Sequence, residues 1–471
     1  MKNKAGIGKH VFLVFSLIFL QRMLLFFCLD CRYFYDTFEY MVVDGFAWLG
    51  GNVDRYRLPL YPMFIDMFEL LFGNNFGFFL SLFQLIFSLI SVVFLYLTLR
   101  KLSDKRWICL LITYVYGTLN AVTGWDRLII TESLSLSLTV FALFGMISYL
   151  KEKITIYVIF TASVLTLGCF LRAVFAIYAG MFFGAICLIA IISAISKSKT
   201  ENSDKKEHII VNSAIALIPV ILVLLYSYAF YCRYGAFTMS DSYIGQQLVV
   251  IFQNDYYKDS SDEEIRQISD KIVHSKYSFE EDDEKETLDP EIEKMVRDMI
   301  VERTHLDFDM SILSKEIVAR WYVIHNFSPD RVKAFVKESK RNHYGAYLAR
   351  MIPNMFEEYS TTRYKQMKDS KIAQTMSGAL DETFSMIHLN IFHTLIVSLI
   401  ELLVFVVLLI KKKELDWIRL GLGAFILSSI VLSLFGTNLE YARTAITDLP
   451  FAFAAVALYL DHLTGRFSKT V

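Results

Sequence analysis

The chain has 471 residues, 55% of them hydrophobic and 15% aromatic, and a formal net charge of −1. Soluble domains run at roughly 45–50% apolar, so a mean hydropathy of +0.43 marks an excess over a soluble core. Near-neutral charge argues against nucleic acid as a partner, and 7 prolines with 21 glycines are too few for a disordered or fibrous chain.

The excess falls into blocks of roughly 17–24 residues, the length that crosses ~30 Å of hydrocarbon at ~1.5 Å per residue. Spans are expected over about 11–29, 76–99, 107–123, 131–150, 155–171, 173–195, 209–231, 388–410, 415–436 and 444–463. No small-x-small cleavage site follows Leu29, so the first block reads as an uncleaved helix rather than a signal peptide. The short loops sort by charge. Lys2, Lys4 and Lys9 precede the first span; Arg100, Lys101, Lys105 and Arg106 link the second and third; Lys151 and Lys153 link the fourth and fifth. Lys197, Lys199, Lys205 and Lys206 link the sixth and seventh, Lys411 to Lys413 the eighth and ninth, and Arg466 and Lys469 follow the tenth. With ten spans all of these lie on one side, which the positive-inside rule makes the cytoplasm, with both termini.

The fold expected is therefore an all-α polytopic membrane protein of about ten transmembrane helices, with interfacial helices in the first outer loop and a mainly helical extracytoplasmic region. Residues 1–231 form the N-terminal membrane module, with a first outer loop at 30–75; 232–387 form the outer region and 388–471 the last helices. Leu58 to Phe72 is too short to cross, holds Asp66 and Glu69, and is expected to lie in the interface. The outer region carries an acidic run, Glu280 to Glu284, and helical periods at 261–276, 290–303, 311–325 and 330–350, with Ser328-Pro329 as a helix start. Its many Lys and Arg do not conflict with this topology, because long segments translocate regardless of charge. The six cysteines are scattered; Cys28 and Cys31 have CxxC spacing, but no second pair completes a zinc site.

Candidate chemistry gathers on the outer side. Asp36, Glu39 and Tyr40 share a helical face just after the first span. A carboxylate partly desolvated at the membrane surface suits a general base, against the alternative of solvated loop acids, to which Asp30 and Asp44 are assigned. Arg57-Leu58-Pro59-Leu60-Tyr61-Pro62 reads as an extended lead-in to the short apolar segment, because two prolines three apart interrupt a helix. Arg57 there matches phosphate oxygens or anchors the segment to headgroups. Trp125, Asp126, Arg127 and Thr131-Glu132-Ser133 open the fourth span, with Glu132 near the helix dipole and Thr131 or Ser133 as caps. Arg172 interrupts an apolar stretch, which at that depth implies function or an ion pair, Glu132 being the nearest partner. Glu440, Tyr441, Arg443 and Asp448 lie at the last outer turn. Asp36, Arg57, Glu132, Arg172 and Arg443 come from five distant stretches, yet the topology places all five on one face.

These residues resemble the GT-C superfamily of integral-membrane glycosyltransferases, in the branch of protein O-mannosyltransferases and aminoarabinose transferases. The resemblance rests on Asp36-Thr37-Phe38-Glu39-Tyr40, Arg57-Leu58-Pro59-Leu60-Tyr61-Pro62, Thr131-Glu132-Ser133, Arg172, Tyr441-Ala442-Arg443 and Pro450-Phe451, over roughly 10–250 and 415–463. It implies inverting transfer of a sugar from a polyprenyl-phosphate donor to a glycan, lipid or protein acceptor outside the cytoplasm, in a plasma membrane. Asp36 would be the base, with Glu39, Arg57, Tyr61, Glu132, Arg172, Tyr441 and Arg443 binding substrate. A divalent metal is left open, because the second acid directly beside Asp36 is absent. A lipid-linked glycan polymerase or ligase, a glycolipid transporter or flippase, and a sensor built on 232–387 are the other readings. Polar residues crowding at one surface, with no internal repeat, favour the enzyme.

Overall fold

The computed structural model describes residues 2–31, 35–195, 203–304, 310, 313–359, 375, 388–413, 415–436 and 441–467. Glu440, Lys197, Lys199, Lys469 and most of 360–387 lie outside them. Among the described residues the chain is helical, with two isolated β-bridges and no named strand. Eight helices are long and apolar enough to cross a membrane, which makes this a multi-pass α-helical membrane protein.

The other two expected spans are shorter. The 107–123 block breaks at Leu119 into Arg106–Thr118 and Asn120–Thr123, and 13 residues of helix reach only about 20 Å. Thr155–Leu171 has 17 residues. Glu132–Glu152 runs through the middle of the bundle, packed on Phe76–Leu102 on one side and Thr155–Leu171 on the other. Its Ser135, Ser137 and Thr139 hydroxyls return to carbonyls four residues back at 2.7, 2.9 and 2.8 Å. Small side chains that satisfy themselves in this way let neighbouring helices approach closely. The loop cations at one end meet: Lys101 pairs with Glu152, and Lys105 Nζ donates to Thr464 Oγ1 at 2.6 Å.

Two local expectations change. The lead-in is not extended through Pro62: Pro59 is the N-cap of a helix Leu60–Phe72, because proline within the first turn forfeits no helical hydrogen bond. That helix buries Tyr61, Pro62, Ile65 and Phe68 and exposes Leu70 and Leu71, as an interfacial helix does. Thr131 occupies the N-cap of Glu132–Glu152 without a capping side-chain bond, and the Ser133 hydroxyl instead donates to Asp126 Oδ1 at 2.7 Å. Asp126 in turn pairs with the buried Arg22 of the first span at 3.2 Å.

The 232–387 stretch, expected to be the outer region, has its own apolar core, including Leu248, Phe252, Tyr257, Ile265, Trp321 and Phe335, against which Phe38, Val42 and Tyr56 of the 30–75 loop pack. Arg55 fastens the two: Nε pairs with Asp241 Oδ2 at 2.6 Å, and Nη1 donates to the Phe327 carbonyl at 3.0 Å. The expected helices stand at Glu263–Val273, Pro290–Thr304, Lys315–Asn326 and Pro329–Asn342. The last ends at His343, before a separate helix Tyr344–Asn354, and Ser242–Gln253 adds a helix not expected.

Candidate active site

Asp36 and Glu39 lie on a two-turn helix, Tyr35–Met41, one turn apart on a buried face. Asp54 Oδ1 accepts from the Tyr56 and Arg57 amides, both at 2.7 Å, a turn that turns Arg57 back toward that helix. Arg57 Nη2 then meets Asp36 Oδ1 at 2.6 Å and also bonds Glu39 Oε2. Its guanidinium carbon lies 4.5 Å from the Tyr40 ring centre. The second Asp36 oxygen takes Arg443 Nη2 at 2.5 Å, and Arg443 Nε reaches Glu132 Oε1 at 2.6 Å. Arg172 Nη1 stands 3.6 Å from the same Glu132 oxygen.

Arg172 owes its place to a tight turn. The helix Thr155–Leu171 ends there with extended backbone, and Val174–Ile195 starts two residues on. The Phe175 ring packs on Gly168, where a Cβ would come within 2.3 Å of it. Gly168→Ala is therefore expected to cost about 1–3 kcal/mol by overpacking and to displace Arg172. Thermal unfolding checks this, and Phe175→Leu should recover part of the loss.

A cavity of about 180 Å³ opens over these groups, lined by Asp36, Arg57, Glu132, Arg172 and Arg443 together with Tyr40. Tyr56, Ser242, Tyr243 and Gln246 also border it, the last three from the outer region. Burial alone would raise the Asp36 pKa, but the Arg443 and Arg57 guanidiniums outweigh it and hold the carboxyl well below its ordinary range. Burial opposes the charge on Arg57 as well, and Glu39, Tyr40 and Asp36 more than offset it, so Arg57 stays cationic. Arg172 Nη1 and Glu132 Oε2 are buried and have no hydrogen-bond partner.

Five of the eight candidates thus meet around one cavity, and three stand behind it. Glu39 does not border it, since its oxygens are taken by Arg57, by Arg320 and by Trp321 Nε1, the last at 3.0 Å. Tyr61 is fully buried and donates to Gln84 Oε1 at 2.8 Å. Tyr441 is buried beside Arg443 in the short helix Tyr441–Ala445. Asp448 faces elsewhere, accepting from Tyr359 at 2.6 Å and Thr394 at 2.9 Å. Asp44 accepts from the Phe46 and Ala47 amides, as an ordinary turn acid does.

No family model matches the chain, and no curated protein does. Among solved structures, the S. cerevisiae protein O-mannosyltransferase Pmt1-Pmt2 complex bound to the sugar donor is similar over 52% of this chain and 36% of that chain, with 16% identity and a TM-score of 0.37. The archaeal oligosaccharyltransferase AglB from Archaeoglobus fulgidus, in complex with an inhibitory peptide and a dolichol-phosphate, is similar over 98% of this chain and 52% of that one. Identity there is 11% and the TM-score 0.44. The apo form of the A. fulgidus enzyme gives 97%, 52%, 11% and 0.42 in the same order. This chain spans about half or less of the length of each. Likenesses this distant carry no weight on reaction or substrate, which rest on the cavity.

Sequence reasoning missed Arg320 and Trp321. A signal was present: Arg320 shares a helical face with Ile317, Val323 and Ile324 in Lys315–Asn326, and a cation on an apolar stripe calls for a buried partner. The described residues of the site do not form a metal-ligand set. Among the described residues no three His, Cys, Asp or Glu side chains converge as ligands, and Asp36, Glu39 and Glu132 already carry guanidiniums on their oxygens.

Proposed function

We propose that the chain is a GT-C-type glycosyltransferase that moves a sugar, with inversion, from a polyprenyl-phosphate donor to a glycan, lipid or protein acceptor at the extracytoplasmic face of a plasma membrane, with both termini cytoplasmic. One observation carries the reading: the Asp36 carboxylate is held between Arg57 and Arg443 in the wall of a cavity where the Arg172 guanidinium has a nitrogen without a hydrogen bond. Four guanidiniums (Arg57, Arg172, Arg320, Arg443) against three carboxylates (Asp36, Glu39, Glu132) leave one positive charge over. A phosphodiester supplies the negative charge that balances it, and its two non-bridging oxygens suit planar guanidinium forks.

In the reaction the acceptor oxygen or nitrogen attacks the anomeric carbon from the face opposite the phosphate. The anomeric C–O bond breaks, and the phosphate leaves with its electron pair. The acceptor proton passes to Asp36. Paired on both oxygens, Asp36 is a weak base. A phosphate that draws Arg443 and Arg57 toward itself frees the carboxylate and raises its basicity when the acceptor is in place.

The test is a titration of the full chain, in lipid nanodiscs, with a polyprenyl monophosphate and with the matching polyprenol. Saturable binding of the phosphate alone is the expected result. Equal binding of both, or of neither, overturns the reading.

A further inference from the structure

We propose that Arg320 is a positioning residue of this site, acting through Glu39 to set the Arg57 guanidinium against Asp36, so that the outer region is part of the active site. The proposal rests on the functional reading above for what the cavity binds. Glu39 and Arg320 are almost completely buried, with 2% and 1% of their surfaces exposed, so water screens neither. The two Glu39 oxygens face opposite ways: Oε1 takes Arg320 and the Trp321 indole N–H, and Oε2 takes Arg57. The Tyr56 ring touches both cations, with its centre 5.0 Å from the Arg57 guanidinium carbon and 4.9 Å from that of Arg320.

One buried negative charge is thus shared between two guanidiniums, and the share that Arg57 feels depends on Arg320. With Arg320 absent, the whole charge of Glu39 falls on Arg57 and draws it from Asp36 and the cavity. With both Arg320 and Glu39 neutral, Arg57 returns to Asp36. Arg320 does not border the cavity, so its effect on ligand is relayed, by charge through Glu39 or by contact through the Tyr56 ring, and the Glu39→Gln background separates the two. The latch at Arg55, which joins Asp241 and the Phe327 carbonyl, holds the helix Lys315–Asn326 in the register this requires.

The experiment uses the full chain in nanodiscs with Arg320→Gln, Arg57→Gln and Glu39→Gln singly and combined. Arg320→Gln is expected to weaken polyprenyl monophosphate binding about tenfold. Adding Glu39→Gln is expected to restore it to within about threefold of the unsubstituted protein. Arg320→Gln binding like the unsubstituted protein, or a double variant no better than the single, overturns the proposal. Thermal unfolding tests the relay without a ligand. Losses from Arg320→Gln and Arg57→Gln should be non-additive with Glu39 present and additive with Glu39→Gln; additivity in both backgrounds sinks the relay. If the unsubstituted protein binds no carrier, the transferase reading fails and the thermal cycle still decides the relay. Arg320→Met, which is also neutral and keeps the length of the side chain, takes the place of Arg320→Gln in both arms if the latter does not fold.

Discussion

Replacing Asp36 by Asn is expected to lower sugar transfer by about 10²–10⁴, the usual contribution of a positioned general base, while carrier binding holds or tightens. Asn keeps the shape of Asp and removes the negative charge that competes with phosphate for Arg57 and Arg443. Binding and turnover therefore move in opposite directions. A variant that loses both together would place Asp36 in the scaffold. The pH dependence follows in sign. The Asp36 pKa lies below its ordinary value, so its ion pairs stabilise the fold fully above about pH 4, and that contribution is lost as pH falls toward the lowered value. In kcat/KM, which reports the free enzyme, no acidic limb from Asp36 is expected above about pH 4.

Arg443→Gln is expected to have the largest effect on stability. It leaves Asp36 and Glu132 facing each other across a buried wall without the cation that now joins them at 2.5 and 2.6 Å. Removing one member of a buried ionic group costs about 3–5 kcal/mol, read as a fall in the thermal midpoint of the detergent-solubilised protein. Adding Glu132→Gln should recover part of the midpoint, since one uncompensated charge goes, and none of the transfer activity. Full recovery of activity in the double variant would remove Arg443 from the reaction.

The large features of this chain were readable because hydrocarbon imposes them. Apolar blocks of spanning length give helices, and Arg172 stood out because a cation in such a block needs a partner. Glu132 was the partner expected, but Arg443 holds it more closely, at 2.6 Å against 3.6 Å. Composition alone gives no distance of that kind. The link from Glu39 to Arg320 spans 281 positions and runs between two regions whose docking depends on side-chain shape, so no local period betrays it. An expected span ends at Leu119, whose backbone leaves the helix, and the buried Trp125 to Ile130 follow in turns of their own, a tertiary choice that hydropathy does not encode. Pro62 misled in the opposite direction: two prolines look like a break, and the first turn of a helix tolerates both.

Asp36 and Arg443 are 407 residues apart, so a long stretch of synthesis separates the acid from the second of its two cations. A nascent chain carries Asp36 with Arg57, and Glu132 with Arg172, long before Arg443 has left the ribosome. Until then the carboxylate oxygens that will face Arg443 stay hydrated. The wall that Arg443 completes is therefore assembled only when Tyr441–Ala445 reaches it. A chain that stalls short of Tyr441–Ala445 leaves each acid with one of its two guanidiniums, and the wall of the cavity unfinished.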